Sequence, residues 1–273
     1  MVRANETPFF LPNGSYSLFG ILHLPDGPAA GAPFVLCHPF GEEKLWTHRV
    51  FVSFARQLAA DGYPVLRVDY MGNGDSDGHF SASSLATVQS DVRAAVAEVR
   101  RRTGAASVNL LGLRFGALVA SLVAEDTPDI ERLILWSPVV DGARYMQELL
   151  RINLTTQMAT KKEITQDREA MVAAMQQGRT VNVDGYEMAY PLYSEVSAVK
   201  LAAGRKQYRG PCLVANVDKQ PGRPVPELDQ LSSSYERGTL AFAQEEPFWK
   251  EIARFYDQAP NLFQVTREWM RTA

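Results

Sequence analysis

Residues 108–124 read VNLLGLRFGALVASLVA, and this stretch decides the fold. Its opening apolar residues are typical of a buried strand, and its closing run of alanine, leucine and valine is typical of a helix. Between the two lies a sharp turn, with Gly112 and Gly116 two residues on either side of Arg114. The stretch therefore predicts a strand, a tight turn and a helix, with Arg114 at the apex of the turn.

This glycine spacing matches the G-x-S-x-G nucleophile elbow of α/β-hydrolases, in which a serine stands at the apex. Here Arg114 occupies the position of that serine. A guanidinium group stays protonated in proteins and cannot form an acyl intermediate. The sequence thus predicts a hydrolase fold that lacks the nucleophile of the usual hydrolase reaction.

Strand-like and helix-like segments alternate along the chain. Short apolar strands separated by helices are typical of a mostly parallel sheet with helices on both faces. An opening hairpin, with its turn at Asn13-Gly14, adds antiparallel strands and makes the sheet mixed. The predicted strands are 9–12, 17–24, 33–39, 63–70, 108–113, 133–137, 211–218 and 239–243, and the predicted helices are 50–60, 83–102, 117–124 and 261–271.

A long segment between the strands predicted at 133–137 and 211–218 shows no strand pattern, but it contains helix-like runs at 142–156 and 166–177. An insertion at this point would lie over the carboxyl ends of the strands, where open α/β sheets bind ligands. We therefore predict that residues 142–205 form a helical cap. The α/β-hydrolase core would then consist of residues 1–141 and 206–273.

Composition excludes several classes of function. The 273 residues are 46% hydrophobic and 22% charged, with a net charge of −3, so nothing indicates a nucleic-acid partner. Cys37 and Cys212 lie in apolar runs and are predicted to be buried free thiols in a reducing compartment. No signal region, membrane-spanning stretch or zinc-ligand spacing is visible. We expect a cytoplasmic protein that uses no membrane, metal or cofactor, and we leave a homodimer open.

The partners of a triad serine are also missing from their usual places. In this fold the acid and then the histidine follow the nucleophile along the chain. All four histidines, at positions 23, 38, 48 and 79, precede Arg114. Asp218 ends a predicted strand, as a triad acid would, but it has no histidine to orient. The serine and the histidine are therefore absent independently of each other.

Arg114 admits two interpretations. The apex of an elbow lies at a helix N-terminus, which favours anions and disfavours an unpaired cation. A salt bridge to Asp218, Glu245 or Glu246 would lock the site shut. Alternatively, the planar guanidinium and the backbone donors would hold the carboxylate, phosphate or sulfate of a ligand. The two interpretations are compatible if a ligand displaces an internal carboxylate.

Other candidate site residues lie at the ends of predicted strands. His38 is the histidine best placed to face a ligand, on the loop that supplies an oxyanion-hole N–H in this fold, although a structural hydrogen bond would also explain it. Ser137 lies beside the elbow strand without a visible base, and solvent exposure is the simpler explanation of Glu42-Glu43-Lys44. The candidate catalytic residues are Arg114, His38, Ser137 and Asp218, and the candidate ligand-binding residues are Arg114, Phe115, Phe40, Tyr70 and Glu43.

The chain resembles, nearly end to end, the α/β-hydrolase-fold proteins known as the second type of hydrolase associated with the exosortase A system of bacteria. The resemblance implies that an arginine at the elbow is shared by the group, and it implies a link to extracellular polysaccharide production or protein sorting. Because the hydrolase label of the group rests on fold, it does not establish an activity. The matching motifs are Phe9-Phe10-Leu11-Pro12, His38-Pro39-Phe40-Gly41-Glu42-Glu43-Lys44, Gly74-Asp75-Ser76-Asp77-Gly78, Gly112-Leu113-Arg114-Phe115-Gly116-Ala117, Leu135-Trp136-Ser137-Pro138-Val139-Val140, Val183-Asp184-Gly185-Tyr186-Glu187 and Pro247-Phe248-Trp249.

Three hypotheses about function follow. The first is a protein that lacks triad chemistry and binds a small anionic or acyl ligand, such as an acyl or sugar-linked carboxylate, at Arg114 under the cap. The second is a hydrolase or acyltransferase of unusual mechanism, in which Arg114 stabilises an oxyanion. The third is a non-catalytic interaction protein with a filled pocket. The first is preferred, because removing a triad serine and histidine leaves only about 10³–10⁴-fold catalysis over water.

Overall fold

The structure is a computed structural model that describes residues 5–163, 166–220, 222, 225–250 and 255–273. Strands and helices alternate through most of the chain. The strands are β1 (Asn5–Asn13), β2 (Tyr16–Leu24), β3 (Phe34–Cys37), β4 (Val65–Val68), β5 (Val108–Leu113), β6 (Ile130–Trp136), β7 (Val181–Val183), β8 (Tyr186–Met188), β9 (Pro211–Asp218) and β10 (Arg237–Gln244). The helices are α1 (Gly41–Ala60), α2 (Leu85–Thr103), α3 (Phe115–Asp126), α4 (Gly142–Lys161), α5 (Arg168–Gln176), α6 (Tyr190–Ser197), α7 (Pro226–Ser234) and α8 (Pro260–Met270).

Eight strands form one mixed sheet in the order β1-β2-β4-β3-β5-β6-β9-β10. In this order, the neighbouring strands β4, β3, β5, β6, β9 and β10 all run parallel to one another. Strand β2 runs antiparallel to both of its neighbours, β1 and β4. The opening hairpin turns at Gly14, whose φ of 62° suits a residue without a side chain. The predicted fold class, an α/β-hydrolase fold with a mostly parallel mixed sheet and surrounding helices, is confirmed.

The sheet separates two apolar clusters. Side chains alternate between the faces of a strand, so neighbouring residues of β5 enter different clusters. Leu110 packs with residues of α2 and α3, while Leu111 packs with residues of α1 and α8. Strands buried on both faces explain why β3 and β5 read as continuous apolar runs, without polar alternation.

Helix α1 begins earlier than the prediction of 50–60, which was wrong at its N-terminal end. The helix starts at Gly41 and places Glu42 and Glu43 in its first turn. Two carboxylates there are favoured by the helix dipole, which compensates for the weak apolar periodicity of residues 41–49. Glu43 therefore lies on a rigid helix rather than on a solvated loop.

The segment between β6 and β9 contains more than helices. It holds α4, α5 and α6, but also the small antiparallel hairpin β7–β8, which the sequence analysis did not predict. The hairpin turns at Asp184 and Gly185, with φ values of 49° and 91°. Aspartate followed by glycine is a common signal for such a turn, and strands of three residues are too short to show a period. Helix α7, which starts with Pro226, was also not predicted.

The cysteines and the helices bear on two further predictions. Cys37 and Cys212 are buried free thiols, as predicted. In the part of the chain that the structure describes, no helix combines the length and the apolar character needed to cross a bilayer.

Candidate functional site

Arg114 stands at the apex of the turn between β5 and α3. Its backbone adopts φ 55° and ψ −118°, a conformation that residues other than glycine rarely take. The glycines on either side permit this sharp turn. A Cβ atom on Gly112 would lie 2.3 Å from the carbonyl oxygen of Gly116, and one on Gly116 would lie 2.1 Å from that of Cys37. The elbow conformation is therefore retained with arginine at its apex.

The Arg114 side chain is held by groups from two helices. Its Nε donates a hydrogen bond to Glu43 Oε1 of α1 at 3.2 Å, and Tyr145 of α4 donates its hydroxyl hydrogen to Glu43 Oε2 at 3.1 Å. The guanidinium carbon lies 5.6 Å from the ring centres of both Tyr145 and Trp249, within the range of a cation–π contact. Among the described residues, the guanidinium makes one hydrogen bond, which Nε donates to Glu43. Its two Nη groups therefore keep donors that are not used within this part of the chain.

Burial and pairing act in opposite directions on these groups. Burial raises the pKa of Glu43, although Arg114 and Tyr145 counteract it by favouring the carboxylate. Burial alone would lower the pKa of Arg114, but the Glu43 carboxylate outweighs it and the pKa is raised. Burial also raises the pKa of Tyr145. Arg114 is therefore a permanent cation, and Tyr145 is a neutral donor.

Two cavities meet at Arg114. The wide cavity measures about 790 Å³ and the narrow cavity about 200 Å³. Arg114, Glu148 and Trp249 line both. Residues that line only the wide cavity include Phe40, Glu43, Trp46, Leu149, Ile152 and Val183, and those that line only the narrow cavity include Ser137, Asp141, Arg144, Asn216, Val225 and Glu227.

Sheet order places the cavities on opposite sides of Arg114. Helix α1 follows β3, Arg114 follows β5 and Ser137 follows β6, and these strands are neighbours in the order β3-β5-β6-β9. The carboxyl ends of parallel strands share one edge of the sheet. The wide cavity thus opens on the β3 side of Arg114, and the narrow cavity opens on the β6 and β9 side.

Neither His38 nor Tyr70 lines a cavity that Arg114 lines, and both line a separate small cavity. Their rings stack with centres 3.8 Å apart. The His38 Nδ1 bonds the Pro39 carbonyl oxygen at 2.8 Å, and its Nε2 accepts from the Tyr70 amide at 3.4 Å. Burial lowers the pKa of His38 to about 3. The ring is therefore neutral, with both nitrogens engaged by backbone groups.

Ser137 and Asp218 are not brought together. Ser137 lines the narrow cavity, and its Oγ accepts from the Val217 amide at 3.1 Å. Asp218 accepts from the Gln220 amide at 2.9 Å. Among the described residues, no hydrogen bond or ion pair joins Asp218 to Arg114 or to Ser137. Of the candidate site residues, Ser137, Glu43 and Phe40 share a cavity wall with Arg114, whereas Asp218 does not.

The acidic partner of Arg114 is Glu43, and not Asp218, Glu245 or Glu246. Glu245 accepts from the Asn261 amide at 2.7 Å, and Glu246 pairs with Lys219 at 2.6 Å. Glu43 was a predicted ligand-binding residue, but exposure to solvent was the simpler prediction for it. Its side chain is in fact only 18% exposed.

Phe40 and Phe115 pack beside the site, with ring centres 6.0 Å apart. Phe40 lines the wide cavity, whereas Phe115 stacks against Tyr145 with ring centres 6.4 Å apart. Tyr145, Glu148 and Trp249 were not predicted as site residues. Tyr145 and Glu148 lie near the start of the predicted cap, and Trp249 belongs to one of the motifs of the family resemblance, so the available signals were position and that motif.

The family model of serine aminopeptidase, S33, matches residues 29–186, more than half of the chain. The chain belongs to this family. Within it, the region matched contains the elbow, helix α1 and helix α4. No curated protein sequence is significantly similar to the chain.

Several solved structures share the fold of this S33-family protein. Est1E of Butyrivibrio proteoclasticus with bound ferulic acid is 17% identical, with a TM-score of 0.68 over 97% of this chain and 98% of that chain. The esterase domain of a Rhodothermus marinus protein is 19% identical, with a TM-score of 0.66 over 98% of each chain. Proline iminopeptidase of Mycobacterium smegmatis is 13% identical, with a TM-score of 0.64 over 97% and 98%. At these identities the likeness shows a common fold alone.

Proposed function

We propose that this S33-family protein binds a small anionic molecule at Arg114, beneath a cap formed by residues 142–205. One observation carries the proposal: the guanidinium at the elbow apex makes one hydrogen bond among the described residues and borders two cavities. The Arg114 side chain is 20% exposed and lines both cavities, so a ligand in either can approach it. The Nη donors that remain suit the oxygens of a carboxylate, phosphate or sulfate.

The surroundings of Arg114 support binding rather than nucleophilic catalysis. The elbow apex lies at the N-terminus of α3, where backbone N–H groups favour a negative charge. The wide cavity has the size of small-molecule sites in other proteins, which measure roughly 300–1,000 Å³. A permanent cation at the apex offers no electron pair to a carbonyl carbon. The elbow apex therefore carries a group that can hold an anion, in the position where a hydrolase of this fold carries its nucleophile.

The test is thermal unfolding of the purified protein with a panel of carboxylates, inorganic phosphate and sulfate. Saturable stabilisation of the wild type is expected, because a ligand that binds only the folded state raises its stability. Arg114→Met, which keeps the apolar stem between Tyr145 and Trp249, is expected to abolish the stabilisation. Glu43→Gln is expected to increase the affinity, since the internal carboxylate no longer competes for the guanidinium.

Arg144→Met is the matched control. Arg144 also lines the narrow cavity, but its guanidinium is engaged by both oxygens of Glu227. Binding of the small anions should persist in this variant. The absence of saturable stabilisation across the panel, or equal binding by Arg114→Met, would overturn the proposal and favour a non-catalytic interaction protein.

A second candidate is a hydrolase or acyltransferase of unusual mechanism, in which Arg114 stabilises an oxyanion. The specific observation in its favour is the elbow backbone, which Arg114 keeps at φ 55° and ψ −118° despite the strain. Treatment with a fluorophosphonate probe, followed by intact mass measurement and an ester-hydrolysis assay, separates the two candidates. A stoichiometric adduct with turnover would favour the enzyme, and peptide mapping would test Ser137 first. No adduct and no turnover is the outcome expected for a binding protein.

The resemblance to exosortase-associated proteins extends the proposal to a cellular role. The bound anion would then belong to extracellular polysaccharide production or protein sorting. Replacing the chromosomal gene with the Arg114→Met allele should impair one of these processes in the native host. Secretion and polysaccharide yield equal to those of the parent strain would contradict this role.

A further inference from the structure

The position of Arg114 between two cavities limits the kind of anion that can fill both. The wide cavity lies on the side of α1 and the narrow cavity on the side of β6 and β9, with Arg114 between them. A ligand that occupies both cavities must carry its charge in the middle of the molecule and a substituent on either side. A simple carboxylate or a phosphate monoester ends the chain that bears it, so it would leave one cavity empty.

Charge at the junction favours a single negative charge. Glu43 already holds Arg114 Nε at 3.2 Å, and Glu148 lines both cavities. Arg144 is paired with Glu227, and the further cations of the wide cavity, Arg151 and Lys250, are matched in number by the carboxylates Glu42 and Asp184, so neither set adds net positive charge. A phosphate monoester carries about −1.5 to −2 charges near pH 7 and would be repelled by the two glutamates. A phosphodiester carries one charge and two substituents.

The donors at the junction are also suited to two oxygens. Arg114 keeps its Nη groups free among the described residues. The Trp249 ring, which lines both cavities, lies 5.6 Å from the guanidinium carbon. The two non-bridging oxygens of a phosphodiester would accept hydrogen bonds from the two Nη groups.

The two walls differ in chemistry. The wide cavity presents Phe40, Trp46, Leu149 and Ile152, which suit an aromatic or acyl group, and its lining also includes Glu42, Arg151, Asp184 and Lys250. The narrow cavity is lined by Ser137 and Asn216 beside charged side chains, and its volume of about 200 Å³ admits only a small polar group. From these features we infer that the ligand is a phosphodiester with a small polar substituent in the narrow cavity and a larger apolar substituent in the wide one. This inference rests on the proposed anion-binding function.

The test compares four probes that share a naphthyl group: 2-hydroxyethyl naphthyl phosphate, naphthyl phosphate, naphthoate and N-naphthoylserine. Their dissociation constants are measured by isothermal titration calorimetry with the full-length protein. The diester should bind about tenfold or more tightly than each of the others, which corresponds to one additional well-made contact. Arg114→Met should weaken every probe that binds.

Variants that fill the narrow cavity test whether it holds the second substituent of the diester. Asn216→Phe places a ring where the hydroxyethyl group would lie, and Val225→Phe serves the same purpose if the first variant does not fold. The affinity for the diester should fall by about tenfold or more, while the affinity for naphthoate stays unchanged. Unchanged diester binding in a folded variant would overturn the assignment of the narrow cavity.

The remaining outcomes separate this inference from the proposed function. Naphthoate, N-naphthoylserine or naphthyl phosphate binding as tightly as the diester, with loss in Arg114→Met, would overturn the phosphodiester assignment and leave anion binding intact. No binding by any probe, or binding that Arg114→Met does not weaken, would overturn both.

Discussion

Arg114 joins two features that are individually unfavourable. Its backbone lies in a region that costs about 1–3 kcal/mol for residues other than glycine, and its cation lies at a helix N-terminus, where the dipole repels it. The Glu43 carboxylate, itself held by the Tyr145 hydroxyl, provides the compensating charge. An arginine at this turn therefore needs the ion pair with Glu43 to offset its charge.

Removing the guanidinium should therefore destabilise the protein. Arg114→Met leaves the Glu43 carboxylate largely buried without its cation, so we expect the free energy of unfolding to fall by about 2 kcal/mol at pH 7. The estimate is modest because the two side chains are still 20% and 18% exposed. Urea unfolding measures the change. The double variant with Glu43→Gln should recover part of the loss, since no charge is then left unpaired.

A double-mutant cycle decides whether the pair acts as described. If Arg114→Met and Glu43→Gln destabilise the protein additively, the two side chains do not interact energetically and the ion pair does not stabilise the elbow. Tyr145→Phe is the companion variant, because it removes the second hydrogen bond to Glu43 while keeping the ring beside Arg114.

At the scale of elements, the elbow depends on the close approach of β5, α3 and the loop after β3. The Cβ atom of any larger residue at position 116 would meet the backbone carbonyl oxygens of Cys37 and His38 at 2.1 and 2.5 Å. Backbone atoms cannot move aside as a flexible side chain would. The packing of α3 against the sheet therefore requires glycine here.

Gly116→Ala should consequently destabilise the protein by about 3 kcal/mol or more, or prevent folding, because the overpacking is against backbone. Chemical unfolding followed by circular dichroism measures the effect. Gly27→Ala is the matched control, because a Cβ atom there meets nothing within 4 Å. A Gly116→Ala protein as stable as Gly27→Ala would show that α3 can shift away from β3 and that the elbow is not tightly constrained.

For the whole molecule, two histidines buried within the fold couple its stability to pH. Burial lowers the pKa of His38 to about 3 and that of His23 to about 4. His38 is 7% exposed and His23 is fully buried. In the unfolded chain both would take up a proton near pH 6.5. The unfolded state therefore binds more protons than the folded state between about pH 6.5 and the lowered values.

We expect the free energy of unfolding to fall as the pH is lowered from about 6.5 towards 4, by up to about 1.4 kcal/mol per pH unit for each neutral histidine. Urea unfolding at several pH values gives the slope. His38→Gln should flatten it, since glutamine does not titrate. His79→Gln, at an exposed position, is the control and should leave the slope unchanged. An unaltered slope in His38→Gln would mean that His38 is protonated in the folded protein.

The S33-family fold was predictable to a large extent because its signals are local. The apolar strands β5 and β9, the hairpin turn at Asn13-Gly14 and the glycines around Arg114 each specify a conformation within a few residues. The start of α1 and the hairpin β7–β8 were not predicted, since one depends on charge at a helix terminus and the other has strands of three residues. Periodicity cannot detect either.

The sequence by itself determined that arginine stands at the apex of an elbow, that no histidine follows it and that the sheet is mostly parallel, because each of these is written in neighbouring residues. The tertiary structure alone decided which carboxylate neutralises Arg114 and which side chains form the two cavities. Glu43 is 71 positions away from Arg114, and α4 and the segment after β10 bring Tyr145 and Trp249 to the same cation. Such contacts follow from how strands are ordered in the sheet, and strand order is not a local property of the chain.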